Sequence, residues 1–227
     1  MNIAIIPARG GSKRIPRKNI KVFCGKPMIV YAIEAAQKSG LFEQIIVSTD
    51  DEEIADVARA HGAEVPFLRP ASLSDDYTGT TAVVAHALQV LSKANIHPVF
   101  TCCIYATVPF LSSESLLRGY NALHHSEAEF AFSVTTFPYP IFRALKRSNE
   151  GVEMIWPEFS ATRSQDLIET YHDAGQFYWG KSTSWLEQKK IFAPYSIPID
   201  LPRHLVQDID TPEDWIRAEF MYKALHS

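Results

Sequence analysis

Residues 3–6 read Ile-Ala-Ile-Ile, an unbroken apolar run that Pro7 ends and a basic, glycine-containing loop follows at once. So short a run, with no alternation of apolar and polar residues, predicts a strand buried on both faces. Such strands belong to parallel sheets covered by helices, which directs the chain toward an α/β fold. Pro27 to Lys38 then reads as a helix, with the proline in its first turn and Gly40 just past its end. Gln44 to Ser48 is a second strand, Thr49-Asp50-Asp51 caps a helix through Ala60, and Ala63 to Phe67 forms a third, shorter strand. In Thr80 to Lys93 the residues Val83, Val84, Ala87, Leu88 and Leu91 recur at helical spacing. Pro98 to Tyr105 is the strongest interior strand. Ser112 or Ser113 caps a helix to about His125, and Glu129 to Thr135 is a further strand. The alternation predicts a Rossmann-like architecture: a mostly parallel sheet with helices on both faces.

The rhythm breaks between Pro138 and Thr170, where prolines and scattered charges follow no single period. That stretch is too long for a bare loop in a compact domain and predicts an inserted subdomain or dimerisation arm, about residues 138–170. Alternation resumes with a strand at Gln176 to Trp179, a helix near Ser182 to Gln188, a strand around Ala193 to Ile197 and a last helix from Thr211 to Ala224.

The formal net charge of −4 gives no global attraction for nucleic acid, so an anionic ligand must meet local positive charge. Cys24, Cys102 and Cys103 form neither a disulfide framework nor a CxxC zinc pair, and the adjacent two sit in an apolar run as small core residues. The first residues lack the charged flank and the length of a signal peptide or membrane span, so a cytoplasmic protein without a membrane partner is expected.

Local positive charge is found in Pro7 to Asn19, PARGGSKRIPRKN, where five of thirteen residues are Arg or Lys. In α/β sheets ligands bind beyond the carboxyl ends of the strands, which is where this loop begins. Gly10 and Gly11 let backbone amides approach an anion, and Arg9, Lys13, Arg17 and Lys18 supply charge for a polyphosphate. The loop is neither a Walker A sequence nor GxGxxG. Near the other end, Gln207-Asp208-Ile209-Asp210-Thr211 precedes the last helix. In an extended segment Asp208 and Asp210 face the same way, and a divalent cation relieves their repulsion; Mg²⁺ favours one or two carboxylates, with phosphate and water completing its shell. Asp210 or Thr211 also suits a helix N-cap, and the two readings are compatible.

IPARGGSKRIPRKN together with the DIDTPxD segment resembles the CMP-nonulosonic acid synthetases, the cytidylyltransferases that activate sialic, pseudaminic and related acids, and the likeness extends over nearly the whole chain. It implies one nucleotidyltransferase domain over residues 1–227, with Ala8, Arg9, Gly10, Gly11, Ser12, Lys13, Lys18 and Asn19 around the phosphates of CTP. Asp208 and Asp210 would hold Mg²⁺ or Mn²⁺, and Arg9 and Lys18 would act with them in catalysis. Leu68-Arg69-Pro70 and the following Ser74 match the family's second motif, near the base and triphosphate. Ile104-Tyr105-Ala106-Thr107 stands where sialic acid synthetases carry a glutamine, and Tyr171 to Trp179, YHDAGQFYW, stands in the sugar-contacting segment. Both departures resemble the pseudaminic acid branch. The implied sugar contacts are Tyr105, Thr107, Gln176, Phe177 and Tyr178, with Arg163 for the sugar carboxylate. The resemblance implies a homodimer acting on CTP and an acidic nine-carbon sugar. Sialic or legionaminic acid as substrate, a sugar-phosphate nucleotidyltransferase and a silent nucleotide-binding regulator remain open.

Overall fold

In the computed structural model, which describes residues 1–149 and 151–226, Ile3, Ala4, Ile5 and Ile6 are wholly buried on an interior strand of a sheet. In chain order the elements are β1 (Asn2–Pro7), β2 (Val22–Phe23), β3 (Lys26–Pro27), α1 (Met28–Ser39), β4 (Gln44–Ser48), α2 (Glu52–Ala60), α3 (Thr80–Lys93), β5 (Phe100–Ile104), α4 (Ser113–His124), β6 (Phe130–Thr136), β7 (Leu145–Ser148), β8 (Gly151–Met154), β9 (Tyr171–Lys181), α5 (Ser182–Leu186), β10 (Ser196–Asp200) and α6 (Pro212–Leu225). Six strands form the main sheet in the order β10-β6-β9-β5-β1-β4. β4, β1 and β5 are mutually parallel and β10 is parallel to β6, while β9 runs antiparallel to both its neighbours. Cys102 and Cys103 are fully buried on β5.

Two apolar layers flank the sheet. One gathers Ile29, Ile33, Ile54, Leu116, Phe177 and Trp179 beneath α1, α2 and α4; the other gathers Val84, Leu88, Phe130, Tyr178 and Trp185 beneath α3 and α5. A third cluster locks the small β2–β3 hairpin to α6 through edge-on contacts of Phe23 with Tyr31, Trp215 and Tyr222. The hairpin has no counterpart in the sequence reading, because two-residue strands carry no period.

Three strand expectations change. Ala63 to Phe67 makes only isolated parallel bridges, Ile46 with Glu64 and Thr49 with Leu68, so it skirts the sheet edge rather than extending it. The last strand lies at Ser196–Asp200, not Ala193 to Ile197. Gln176 to Trp179 is the middle of an eleven-residue strand. Its direction follows from topology: β6 ends at the sheet's carboxyl edge, the 138–170 segment leaves and returns at that edge, and the returning strand must run back down. The excursion itself holds the β7–β8 hairpin and short 3₁₀ turns, with Phe142 packed on Trp156 and Phe159.

α2 shows how the basic loop is fastened. Asp51 accepts a hydrogen bond from the Ile54 backbone N–H at 3.0 Å, capping the helix, and also takes the guanidinium of Arg17 at 2.9 Å. The Arg17 bond, and then the cap, hold its carboxyl below the ordinary value. A carboxyl lowered in the folded state stabilises above its ordinary pKa, and that contribution is lost as pH falls through the lowered value. Asp51→Ala is therefore expected to cost about 1–2 kcal/mol in neutral denaturant unfolding, most of it the cap. The cost should shrink toward zero in acid; a loss independent of pH would contradict this account.

Candidate active site

The carboxyl edge of the sheet carries two adjoining cavities. The first, about 320 Å³, lies over the ends of β1 and β5 and is lined by Arg9, Ser12, Lys13, Arg14, Lys18, Asn19, Arg69, Tyr105, Thr107 and Asp210. The second, about 650 Å³, lies over the end of β6 and the start of β9 and is lined by Thr135, His172, Asp173, Gly175, Arg203, Asp208 and Arg217 among others. Tyr105 borders both. Both volumes fall in the range of small-molecule sites, roughly 300–1,000 Å³.

The basic loop folds over the first cavity, and each of its cations has an acidic partner. Arg9 donates to the Asp75 carbonyl at 2.8 Å and to Asp76 at 2.7 Å, and Lys13 also meets Asp76. Lys13 and then Arg9 keep the Asp76 carboxyl below its ordinary pKa. Arg14 pairs with Asp210 at 2.8 Å, and Lys18 reaches the Ile209 carbonyl at 2.7 Å and Asp210 at 3.2 Å. Exposed pairs of this kind are weak, so a polyphosphate carrying several charges can replace Asp76 as their partner. Asn19 donates to the Arg9 carbonyl at 2.9 Å and closes the loop.

Arg69 lies at the cavity floor, only 6% exposed. Its Nε donates to Ser74 at 3.2 Å and its head stays 3.8 Å from Asp50. Burial lowers its pKa, with Asp50 opposing in part. A buried cation with so loose a carboxylate partner is stabilised by an incoming anion. Tyr105 is held by a 3.0 Å hydrogen bond with Thr80 and packs on Tyr178, their ring centres 5.2 Å apart.

Asp208 and Asp210 lie on the extended segment before α6, one facing each cavity. Desolvation and then the Asp210 charge raise the pKa of Asp208. The N-cap of α6 is Thr211, in a reciprocal capping box with Asp214. Asp210 is thereby released from capping, and its carboxylate is shared instead by Arg14 and Lys18. Among the described residues no group of three or more His, Cys, Asp or Glu gathers as a metal cage. Two carboxylates beside a basic cavity suit Mg²⁺, which takes its other ligands from phosphate and water.

The family described as Cytidylyltransferase matches residues 3–222. This chain belongs to the cytidylyltransferase family. It is 49% identical over 226 residues to the pseudaminic acid cytidylyltransferase of Campylobacter jejuni subsp. jejuni serotype O:2, covering 99% of this chain and 97% of that protein. It is 32% identical to the CMP-N,N'-diacetyllegionaminic acid synthase of Legionella pneumophila, over 96% of this chain and 94% of that protein. In fold it is similar to CMP:2-keto-3-deoxy-manno-octonic acid synthetase complexed with CTP, at a TM-score of 0.71 and 14% identity over 100% of this chain and 99% of that one. This likeness shows the fold alone.

Within this cytidylyltransferase, several residues expected at the site stand elsewhere. Arg17, at φ 55°, turns away from the cavity to Asp51 and Glu53, and Arg14 takes its place at Asp210. The Gly10 amide donates to Asp50 at 2.9 Å, and a Cβ there would meet Asp51 Oδ2 at 2.7 Å, so the glycine admits the neighbouring acid. Gly11 has open space around it. Ala8 is buried and continues the β1 ladder to Ser48. Phe177 and Tyr178 are core residues on opposite faces of β9, at 0% and 2% exposure, and line neither cavity. The Tyr178 hydroxyl donates to Asp173, which does face the second cavity. Gln176 is buried and donates to the Leu205 carbonyl at 2.6 Å. Arg163 is exposed in the arm and pairs with Asp166 at 2.6 Å.

A bulge explains this rearrangement. Between Val134–Asp173 and Phe132–Tyr178 the register shifts, with Gly175 at φ 62° and the buried Ser133 hydroxyl accepting from the Gln176 and Phe177 amides at 3.2 Å. Bulges re-aim side chains, here turning Ala174 and the Gly175 backbone to the cavity and Phe177 to the core. The residues missed from sequence are Arg14, Asp173, Arg203 and Arg217. Arg14 lay in the same basic run and Asp173 in the Tyr171 to Trp179 segment, but Arg203 and Arg217 come from segments without a motif.

Proposed function

We propose that the enzyme transfers the cytidylyl group of CTP to pseudaminic acid, releasing diphosphate. The observation that carries this reading is the meeting of two cavities at the Asp208–Asp210 segment: a basic one sized for a nucleotide and a second one, of mixed polar and apolar lining, for the sugar. The identity to the pseudaminic acid enzyme of Campylobacter supports the choice of sugar.

In this reading Arg9, Ser12, Lys13, Arg14 and Asn19 bind the triphosphate, and Arg69 with Ser74 orients the nucleotide from the cavity floor. Arg9, Lys13 and Lys18 offset the charge that builds on the departing diphosphate, which is electrostatic catalysis. Lys18 also fixes the Asp210 carboxylate through its bonds to Asp210 and the Ile209 carbonyl. The anomeric hydroxyl of the sugar enters from the second cavity and displaces diphosphate in line at the α-phosphorus. Asp208 and Asp210 would hold Mg²⁺ or Mn²⁺, which when bound polarises the α-phosphate and acidifies the attacking hydroxyl.

Tyr105 and Thr107 stand at the junction, where sugar and nucleotide meet. The 138–170 arm supports a homodimer, since it exposes Tyr139, Val152 and Ile168 at 81%, 65% and 77%. Among the described residues no helix is long and apolar enough to cross a membrane, and a CTP-consuming enzyme belongs in the cytoplasm. A substrate panel tests the reading: with CTP and Mg²⁺, pseudaminic acid should be turned over at least about tenfold more efficiently than sialic or legionaminic acid. Preference for either of those acids would overturn the choice of sugar.

A further inference from the structure

Arg203 and Arg217 line the second cavity together with Asp208. Arg203 opens a 3₁₀ turn, Arg203–Leu205, between β10 and the aspartate segment, and Arg217 lies on α6 just beyond it. The loop cations Arg9, Lys13, Arg14, Arg17 and Lys18 all have carboxylate partners within 4.0 Å. Among the described residues neither Arg203 nor Arg217 has one. Arg217 also acts on the Asp214 carboxyl, joining the Thr211 hydrogen bond in lowering its pKa, but both arginines line the one cavity, and the planar fork of arginine matches a carboxylate.

We propose that Arg203 and Arg217 form the clamp for the carboxylate of the sugar acid; this rests on the proposed function. In a 2-keto sugar acid the carboxylate is bonded to the anomeric carbon, whose hydroxyl must reach the α-phosphorus. The carboxylate therefore lies close to the reacting atoms, at the Asp208 end of the cavity. That is where the segment bearing Arg203 leads into Asp208. Arg163, the cation first expected in this role, is engaged with Asp166 in the arm.

Gln176 serves the clamp as a positioning residue. Its 2.6 Å bond to the Leu205 carbonyl ties the turn to the bulge of β9, and Thr135 holds the chain upstream through a 2.8 Å bond to the Leu201 carbonyl. The cavity also presents Asp173, occupied by the Tyr178 hydroxyl and the Gly175 amide.

The test compares the sugar acid with its C1 carboxamide at saturating CTP, in the wild type and in Arg203→Ala, Arg217→Ala and Arg203→Lys. Both alanine variants should raise KM for the acid by about 10–100-fold, the scale of a charged hydrogen bond. KM for CTP should move less than about twofold. The wild type should prefer the acid over the amide, the alanine variants should lose that preference, and Arg203→Lys should restore part of it. Both arginines are solvent-facing, so unchanged melting temperatures will separate lost recognition from lost fold. Variants that keep the wild-type preference for the acid would overturn the clamp alone. A wild type that turns over no nonulosonic acid with CTP would overturn the proposed function and the clamp with it.

Discussion

Asp210→Asn is expected to lower kcat by about 10³-fold, with the melting temperature nearly unchanged. The amide keeps the size of the side chain and an oxygen that accepts from Lys18, now 3.2 Å away. It removes the charge that Arg14 and Lys18 both address and that a divalent cation needs. Stability should survive because the helix cap is Thr211 with Asp214, not Asp210. Steady-state kinetics across a Mg²⁺ titration make the check: the variant should require more metal and still fall short at saturation. Near-normal turnover would remove Asp210 from the metal site.

Trp179→Ala should destabilise the fold by about 3–5 kcal/mol, the cost of emptying a large buried aromatic site. For a chain of this size that lowers the melting temperature by roughly 6–20 °C. Trp179 is wholly buried, stacks on Phe42 with ring centres 5.0 Å apart, contacts Tyr120, and donates its indole N–H to the Leu116 carbonyl at 3.0 Å. Truncation therefore leaves a cavity and removes a tie between β9 and α4. Calorimetry with kinetics at low temperature separates this from a sugar contact, because the folded fraction should keep its KM for the sugar. A raised sugar KM with an unchanged melting temperature would contradict the assignment.

The strand–loop opening and the aspartate pair were legible because each is local. Ile3 to Ile6 buries itself wherever a sheet has two covered faces, and a run of cations after such a strand meets the ligand edge. The same locality explains the errors. Arg17 looks like its neighbours in sequence, but its left-handed backbone sends the guanidinium to Asp51, while Arg14 takes the place expected for it. Tyr171 to Trp179 looked like a ligand surface because it is aromatic and contains glycine. The bulge at Gly175 instead sends Phe177 and Tyr178 to opposite sides of the core.

By itself the sequence determined the architecture, the family, the basic loop after β1 and the aspartate pair before α6, since all of these rest on patterns within a few residues or on long-range identity. Only the tertiary structure decided how the second cavity is furnished. Arg203, Arg217 and Asp173 come from three separate segments, and the antiparallel return of β9 with its bulge determines which of its residues face the ligand. No period in the chain encodes that meeting, because it depends on the register between strands that are distant in sequence.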